Sequence, residues 1–115
     1  MGKIAVNLMF EGEKGTSRVN TLLDSGASFS IIRQDIARKL ADSFIPVKER
    51  TLQTVSGHKW LTITRGVILH VKMKAKWLDG QFYIVDDMPR EAIIGVDFMQ
   101  AWEIRLDPKK HDFTV

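Results

Sequence analysis

Cysteine is absent from the 115 residues of this chain. Its absence excludes disulfides, a thiolate nucleophile, zinc–thiolate sites and iron–sulfur clusters, so the fold does not depend on an oxidising compartment. A cytoplasmic setting is therefore expected, either for the chain itself or for a longer protein from which this domain is excised.

Long apolar runs are also missing. No segment approaches the ~20 apolar residues that a helix needs to cross a bilayer. The first residues, Met-Gly-Lys-Ile-Ala-Val, contain no apolar core of a signal peptide, and Val6 stands where a myristoylation signal requires Ser or Thr. The sequence therefore predicts no membrane segment in this chain, and no secretion or lipid signal.

Neither sign of charge dominates, since 17 Lys and Arg face 14 Asp and Glu for a net charge of +3. This balance tolerates an acidic partner without requiring one. Lys72, Lys74 and Lys76 alternate with apolar residues and, with His70, would share one strand face. A phosphate-binding stripe is one interpretation, but lysines on an outer face are also a common protection against edge-to-edge aggregation. No nucleic-acid partner is expected.

Several catalytic signatures are lacking. No Gly-x-Ser-x-Gly elbow accompanies Ser25 or Ser28, which argues against a serine hydrolase. No His-x-x-x-His or EF-hand spacing is present, and the adjacent Asp86 and Asp87 are typical of a solvated turn. The sequence therefore predicts neither a metal ion nor a cofactor.

The residues that are present, 44% hydrophobic and 27% charged, predict one folded domain over residues 1–115. The first part alternates from Lys3 to Phe10, turns through Glu11 to Gly15 and returns to Leu23, which is typical of a β-hairpin. Gln34 to Leu40 fits a short helix.

The remaining chain also reads mainly as strands. Strands are predicted at Val47–Val55 and Trp60–Trp77, around a turn at Ser56-Gly57, and Asp79-Gly80 predicts a second hairpin turn before Gln81–Val85. After Ala92-Ile93-Ile94, Asp97 is expected to cap a short helix, and Glu103–Leu106 and Asp112–Val115 close the chain as strands. Trp60, Trp77 and Trp102 are expected in the core or at an interface. Short strands separated by turns predict a mainly β, closed barrel-like fold with one or two short helices.

One stretch carries a candidate chemistry, Leu22-Leu23-Asp24-Ser25-Gly26-Ala27-Ser28. It places a carboxylate at the end of an apolar strand and follows it with turn residues. Alone, Asp24 could be an ordinary turn aspartate. Two further features accompany it: a glycine-tipped hairpin, Val55-Ser56-Gly57-His58, and the element Ile93-Ile94-Gly95 with a predicted helix behind it.

In order and spacing, these elements resemble the retropepsin family, the retroviral-type aspartic proteases, over nearly the whole chain. The resemblance implies the closed barrel of the acid proteases, with Asp24 as the catalytic carboxylate. It further implies that the Ser25 hydroxyl forms a hydrogen bond across a dimer axis, and Gly26 would let the two backbones approach closely.

Because the chain holds a single motif of this kind, the second aspartate would come from a second subunit. The expected activity is that of a homodimeric aspartic endopeptidase acting on a peptide or polyprotein. Two carboxylates a few ångströms apart share one proton, so one can activate water while the other donates to the scissile carbonyl. A non-catalytic peptide-binding or dimerisation module on the same fold is the alternative.

The resemblance also implies a flap, formed here by Val55, Ser56, Gly57 and His58, that closes over an extended substrate. Further substrate contacts are expected from Ala27, Ser28 and Ile94. This sequence departs from the family at Ser28 and Phe29, where many members have further polar or acidic residues that hold the substrate main chain.

Overall fold

The computed structural model describes residues 2–53 and 60–115. Their strands and helices, in chain order, are β1 (Lys3–Gly12), β2 (Gly15–Asp24), β3 (Ile31–Arg33), α1 (Gln34–Leu40), β4 (Arg50–Gln53), β5 (Trp60–Ile63), β6 (Gly66–Met73), β7 (Lys76–Val85), β8 (Ala92–Ile94), α2 (Val96–Ala101), β9 (Arg105–Asp107) and β10 (Asp112–Thr114). Within these ranges, no helix has the length and apolar character needed to cross a membrane.

Six strands close into a barrel in the order β1-β2-β8-β3-β7-β6. Strands β1 and β2 pair antiparallel along their whole length, and β1 closes the barrel by pairing with β6 at Phe10 and Val71. Parallel pairing joins β2 to β8 and β3 to β7. The predicted mainly β, closed barrel with short helices is therefore confirmed.

The barrel interior follows the alternation of the sequence. Successive side chains of a strand point to opposite faces, so every second residue of β1 and β6 enters the core. The buried set from these two strands comprises Ile4, Leu8, Phe10, Val67, Leu69, Val71 and Met73. Burying an aliphatic or aromatic side chain of this size contributes about 1.5–3 kcal/mol, so this alternation stabilises the barrel that carries the site.

The hairpin turn after β6 differs from the expectation. It lies at Lys74-Ala75, where Lys74 has a positive φ of 58°, and Met73 pairs directly with Lys76. Gly80 instead lies inside β7, where an added Cβ would stand 2.4 Å from the Phe98 ring. The prediction of a turn at Asp79-Gly80 was wrong because this glycine makes room for a helix side chain rather than for a turn.

Trp77 and Trp102 also differ from the expectation of a core position. Trp77 is 44% exposed and faces outward beside its partner Lys72. The turn at Lys74-Ala75 interrupts the alternation, so Trp77 does not continue the inward face of Val71 and Met73. Trp102 is 37% exposed, and its indole N–H donates to the carbonyl of Asp79 at 2.8 Å. Neither lies in the core, and their role at an interface stays a prediction.

The hairpin of β4 and β5 is shorter than predicted. Its antiparallel pairing runs from Arg50 opposite Ile63 to the last pair before residues 54–59, which lie outside the described ranges. Val47, predicted to begin the first strand, is fully exposed and precedes β4. A break at residues 64–65 separates β5 from β6.

Candidate active site

Asp24 is the last residue of β2, opposite Lys3 of β1. Its Oδ1 accepts a hydrogen bond from the N–H of Gly26 at 2.8 Å, and its carbonyl accepts from the N–H of Ala27 at 3.1 Å. The two bonds form a tight turn of the kind that aspartate favours. The half-buried carboxylate is thus held by its own loop at the end of a barrel strand.

Ser25 connects this loop to the N-terminal segment. Its hydroxyl accepts from the N–H of Gly2 at 2.8 Å and lies 3.2 Å from the Gly2 carbonyl, to which it can donate. The N–H of Ser25 donates to the same carbonyl at 3.1 Å. Within one chain, therefore, Ser25 anchors the first residues beside Asp24, and its bond across a dimer axis stays a prediction.

A second set of hydrogen bonds fastens the loop to α2. The hydroxyl of the fully buried Ser30 donates to Oδ1 of Asp97 at 2.8 Å and accepts from the N–H of Gly95 at 2.9 Å. The N–H of Ser30 donates to the other oxygen of Asp97 at 3.1 Å. Both ends of the Asp24 loop are therefore fixed by side-chain hydroxyls, Ser25 at its start and Ser30 at its end.

The expectation that Asp97 caps the helix was wrong. Gly95 is the N-cap, and Asp97 lies one residue inside the first turn. Its carboxylate accepts from the N–H of Phe98 at 2.7 Å in addition to its two bonds with Ser30. A carboxylate is electrostatically favourable near a helix N-terminus, both at the N-cap and in the first turn. An aspartate at this point of the sequence is therefore compatible with either position.

Gly95 has no room for a side chain. A Cβ there would stand 2.7 Å from the carbonyl oxygen of Ala27 and 2.8 Å from that of Phe29. The N–H of Val96 donates to Ala27 at 2.8 Å. The glycine after Ile93-Ile94 is thus required by the close approach of the loop that carries Asp24.

An apolar row lies on the face of the sheet that bears Asp24. Leu22 and Asp24 are two residues apart in β2 and share a face. Leu22 is paired with Ile93, Ile93 with Ile31, and Ile31 with Tyr83, so the row crosses β2, β8, β3 and β7. It leads away from the carboxylate across the sheet.

Ile93, Ile31 and Tyr83 of this row belong to a cluster separate from the barrel core. Its buried members are Ile31, Ile63, Tyr83 and Val85, with Phe29, Met88 and Ile93 packed around them. Because Ile63 comes from β5, the hairpin of β4 and β5 docks on this cluster. This cluster was not predicted from the sequence, because most of its members come from four strands that are distant in the chain, β3, β5, β7 and β8.

The substrate-binding residues expected from the sequence are distributed unevenly. Ala27 is half-buried with its N–H and carbonyl both bonded, and Ser28 is exposed beside it. Ile94 is fully buried in the barrel core, whereas its neighbour Ile93 lies on the Asp24 face. The predicted flap residues, Val55, Ser56, Gly57 and His58, lie outside the described residues.

Metal chemistry has no visible ligand set here. Among residues 2–53 and 60–115, no three His, Asp or Glu side chains are close enough together to hold an ion.

Comparison with known proteins agrees with this geometry. The sequence profile described as "gag-polyprotein putative aspartyl protease" matches residues 10–101, so the chain belongs to this family of retropepsin-like aspartyl proteases. A search of curated proteins finds no match.

Solved structures share the fold, among them the following two. The EIAV protease complexed with the inhibitor HBY-793 superposes with a TM-score of 0.65 at 18% identity, covering 90% of each chain. The retroviral protease-like domain of Ddi1 from Leishmania major gives 0.66 at 20% identity, covering 97% of this chain and 88% of that one. At these identities the likeness concerns the fold.

Proposed function

We propose that this chain is an aspartic endopeptidase that acts as a homodimer on extended peptides or a polyprotein. The observation that carries the proposal is the Asp24 carboxylate, held by the Gly26 N–H at the end of β2, on the face that bears the row from Leu22 to Tyr83. Membership of an aspartyl protease family supports the same reaction class.

The proposed chemistry needs a second Asp24 across a two-fold axis. The ionised carboxylate of the pair takes a proton from water as the water oxygen attacks the scissile carbonyl carbon. The protonated carboxyl donates its proton to the carbonyl oxygen. The intermediate then collapses: one hydroxyl of the gem-diol returns its proton to the ionised carboxylate as the carbonyl re-forms, the C–N bond breaks, and the leaving amine takes a proton from the protonated carboxyl. The pair again holds one shared proton.

A groove of about 510 Å³ supports dimerisation next to this loop. It borders Ser25 on one side and continues along α2 and β9, and its apolar lining consists of Val96, Met99, Ile104, Leu106 and Pro108. A partially apolar surface next to a lone carboxylate suits a partner that brings the second carboxylate.

A peptide-binding module without catalysis is the second candidate. Leu22 and Ile93, the partly exposed members of the row near Asp24, would contact an extended peptide whether or not Asp24 acts on it. The two candidates differ in whether the Asp24 carboxylate is needed for anything beyond binding.

Cleavage of a random peptide library over about pH 3 to 8, the range in which carboxyl pairs titrate, separates them. We expect wild type to cut and Asp24→Asn to lose cleavage while sedimenting as the same dimer. The matched control is Asp35→Asn, which changes an exposed carboxylate on α1 that pairs with Arg33. Full activity of Asp24→Asn would contradict the proposal of an aspartic endopeptidase. If wild type binds peptides without cleaving them, the peptide-binding module is favoured.

A further inference from the structure

We propose that Arg50 is a specificity-determining residue that selects substrates with an Asp or Glu side chain about four residues from the scissile bond. This inference rests on the proposed peptide-binding cleft at Asp24. The observation behind it is a cation fixed over two aromatic rings at the far end of the apolar row.

Arg50 is held in place by aromatic side chains. Its guanidinium carbon lies 5.7 Å from the centre of the Tyr83 ring and 6.0 Å from that of Phe29. Its Nε donates to the Tyr83 hydroxyl at 3.1 Å, and the two rings pack edge to face with centres 5.3 Å apart. Cation–π contacts within about 6 Å are attractive, so this arrangement orients the guanidinium.

The backbone of Arg50 is anchored as well. In β4 it pairs with Ile63 of β5, whose side chain is buried in the cluster with Tyr83. Arg50 thus stands where the hairpin meets the barrel, and its side chain is exposed on the surface there. Because Ile31 and Tyr83 are themselves buried, a peptide that extends from Asp24 toward this end of the row would meet the exposed Arg50 rather than the row itself.

Strand spacing gives the distance from the reaction centre. Leu22, next to Asp24 on its face, and Tyr83 are separated by three strand-to-strand steps. At about 4.8 Å a step this is roughly 14 Å, and an extended peptide advances about 3.4 Å a residue. Arg50 would therefore meet a substrate side chain about four residues from the bond cut.

The chemistry of the guanidinium selects the partner. Arginine stays charged at all physiological pH values, and its forked N–H groups match a carboxylate in geometry as well as in charge. Its stacking on Phe29 and Tyr83 reduces the side-chain entropy lost on pairing. Glutamate should therefore be preferred over the isosteric glutamine, which presents no charge.

The test uses pairs of peptides with one cleavable sequence that differ only by Glu or Gln, placed in turn at each position around the scissile bond. We expect wild type to favour Glu by about three- to tenfold in kcat/KM at the outer positions. Arg50→Gln should bring this ratio to about one, Arg50→Glu should invert it, and Arg50→Lys should keep part of it.

Each Glu-to-Gln ratio of kcat/KM is measured on one enzyme preparation. The fraction of unfolded protein lowers both rates equally and therefore cancels from the ratio. The matched control is Arg38→Gln, which removes the same charge from an exposed position on α1 and should leave the ratio at its wild-type value. A wild-type ratio of one, an unchanged ratio in Arg50→Gln, or an equal change in Arg38→Gln would overturn the inference and show that Arg50 only fastens the hairpin.

A binding measurement separates this inference from the proposed function. In an Asp24→Asn background, fluorescein-labelled Glu and Gln peptides are titrated with and without Arg50→Gln. If no peptide is ever cleaved but Glu peptides bind tighter in an Arg50-dependent way, the protease proposal fails and the acidic subsite stands. If cleavage occurs without any Glu preference in rate or binding, the subsite fails and the protease stands.

Discussion

The hydroxyl of Ser30 donates a hydrogen bond of 2.8 Å to Oδ1 of Asp97, 67 residues further along the chain. Ser30 is fully buried, and its hydroxyl also accepts from the N–H of Gly95. A single side chain thereby joins the loop that carries Asp24 to the start of α2. The position of the candidate catalytic carboxylate depends on this junction.

Removing the Ser30 hydroxyl should weaken both stability and the site. In Ser30→Ala the buried N–H of Gly95 loses its acceptor and Asp97 loses a donor. Unmet hydrogen bonds of this kind cost about 1–3 kcal/mol. We expect urea denaturation to show that the free energy of unfolding falls by about 2 kcal/mol. The factor by which kcat falls should be larger than the factor by which dimer affinity falls.

Ser17→Ala is the matched control, because that hydroxyl contacts the neighbouring Arg18 carbonyl at 3.5 Å at the surface. A double-mutant cycle of Ser30→Ala with Asp97→Ala should show non-additive losses, since the two groups share one bond. Strict additivity would mean that the junction does not act through this pair.

Mixing subunits tests whether both Asp24 carboxylates take part in one reaction. If a heterodimer of wild type and Asp24→Asn is inactive, activity falls with the square of the wild-type fraction, because only wild-type homodimers carry the pair. At equal mixing and full exchange, the activity per total protein should therefore be about one quarter of that of undiluted wild type.

The comparison is made by titrating Asp24→Asn protein into a fixed amount of wild type and following peptide cleavage. Asp35→Asn protein, added in the same way, should contribute activity rather than remove it. If each subunit acts alone, the total rate should stay constant as Asp24→Asn protein is added, so that the activity per total protein falls only to about one half at equal mixing.

The ion pair between Lys74 and Asp112 predicts how stability changes with acid. The hydrogen bond from Lys74, aided by the N–H of Phe113, holds the pKa of Asp112 below its ordinary value of 3.8. A carboxyl with a lowered pKa in the folded state contributes stability above its ordinary pKa, and this is lost as the pH falls through the lowered value.

Asp112→Asn should therefore lower the melting temperature slightly at neutral pH. The difference from wild type should shrink below about pH 4 and vanish in stronger acid, where wild-type Asp112 is also neutral. Thermal unfolding across pH measures this. Asp79→Asn, which changes an exposed carboxylate outside the ion pairs of the described residues, should show no such convergence.

Much of the fold follows from local sequence patterns. The alternation of β1, the turn before Gly15 and the apolar strand that ends at Asp24 are properties of neighbouring residues, and the structure has them where the sequence predicts. The same holds for α1 and for β8 before Gly95. Periodicity and turn chemistry act over a few residues, so they can be read without knowing what packs on each strand.

The misplaced turn shows where local signals end. Asp79-Gly80 has strong turn chemistry, but the room that Phe98 needs over Gly80 places this pair inside β7. The turn falls instead at Lys74, whose positive φ costs a non-glycine residue only modest strain. Packing from α2 outweighs local preference, and that packing is invisible in the sequence around the turn.

The sequence by itself determined the strands around Asp24, the single Asp24 motif and the resemblance to retropepsins, because each rests on residues close together in the chain. Only the tertiary structure decided that Ser30 holds Asp97, that Ile93 rather than Ile94 lies on the Asp24 face, and that Arg50 stands over Tyr83. These relationships join distant segments. They depend on which strands become neighbours when the barrel closes, and local periodicity does not specify that.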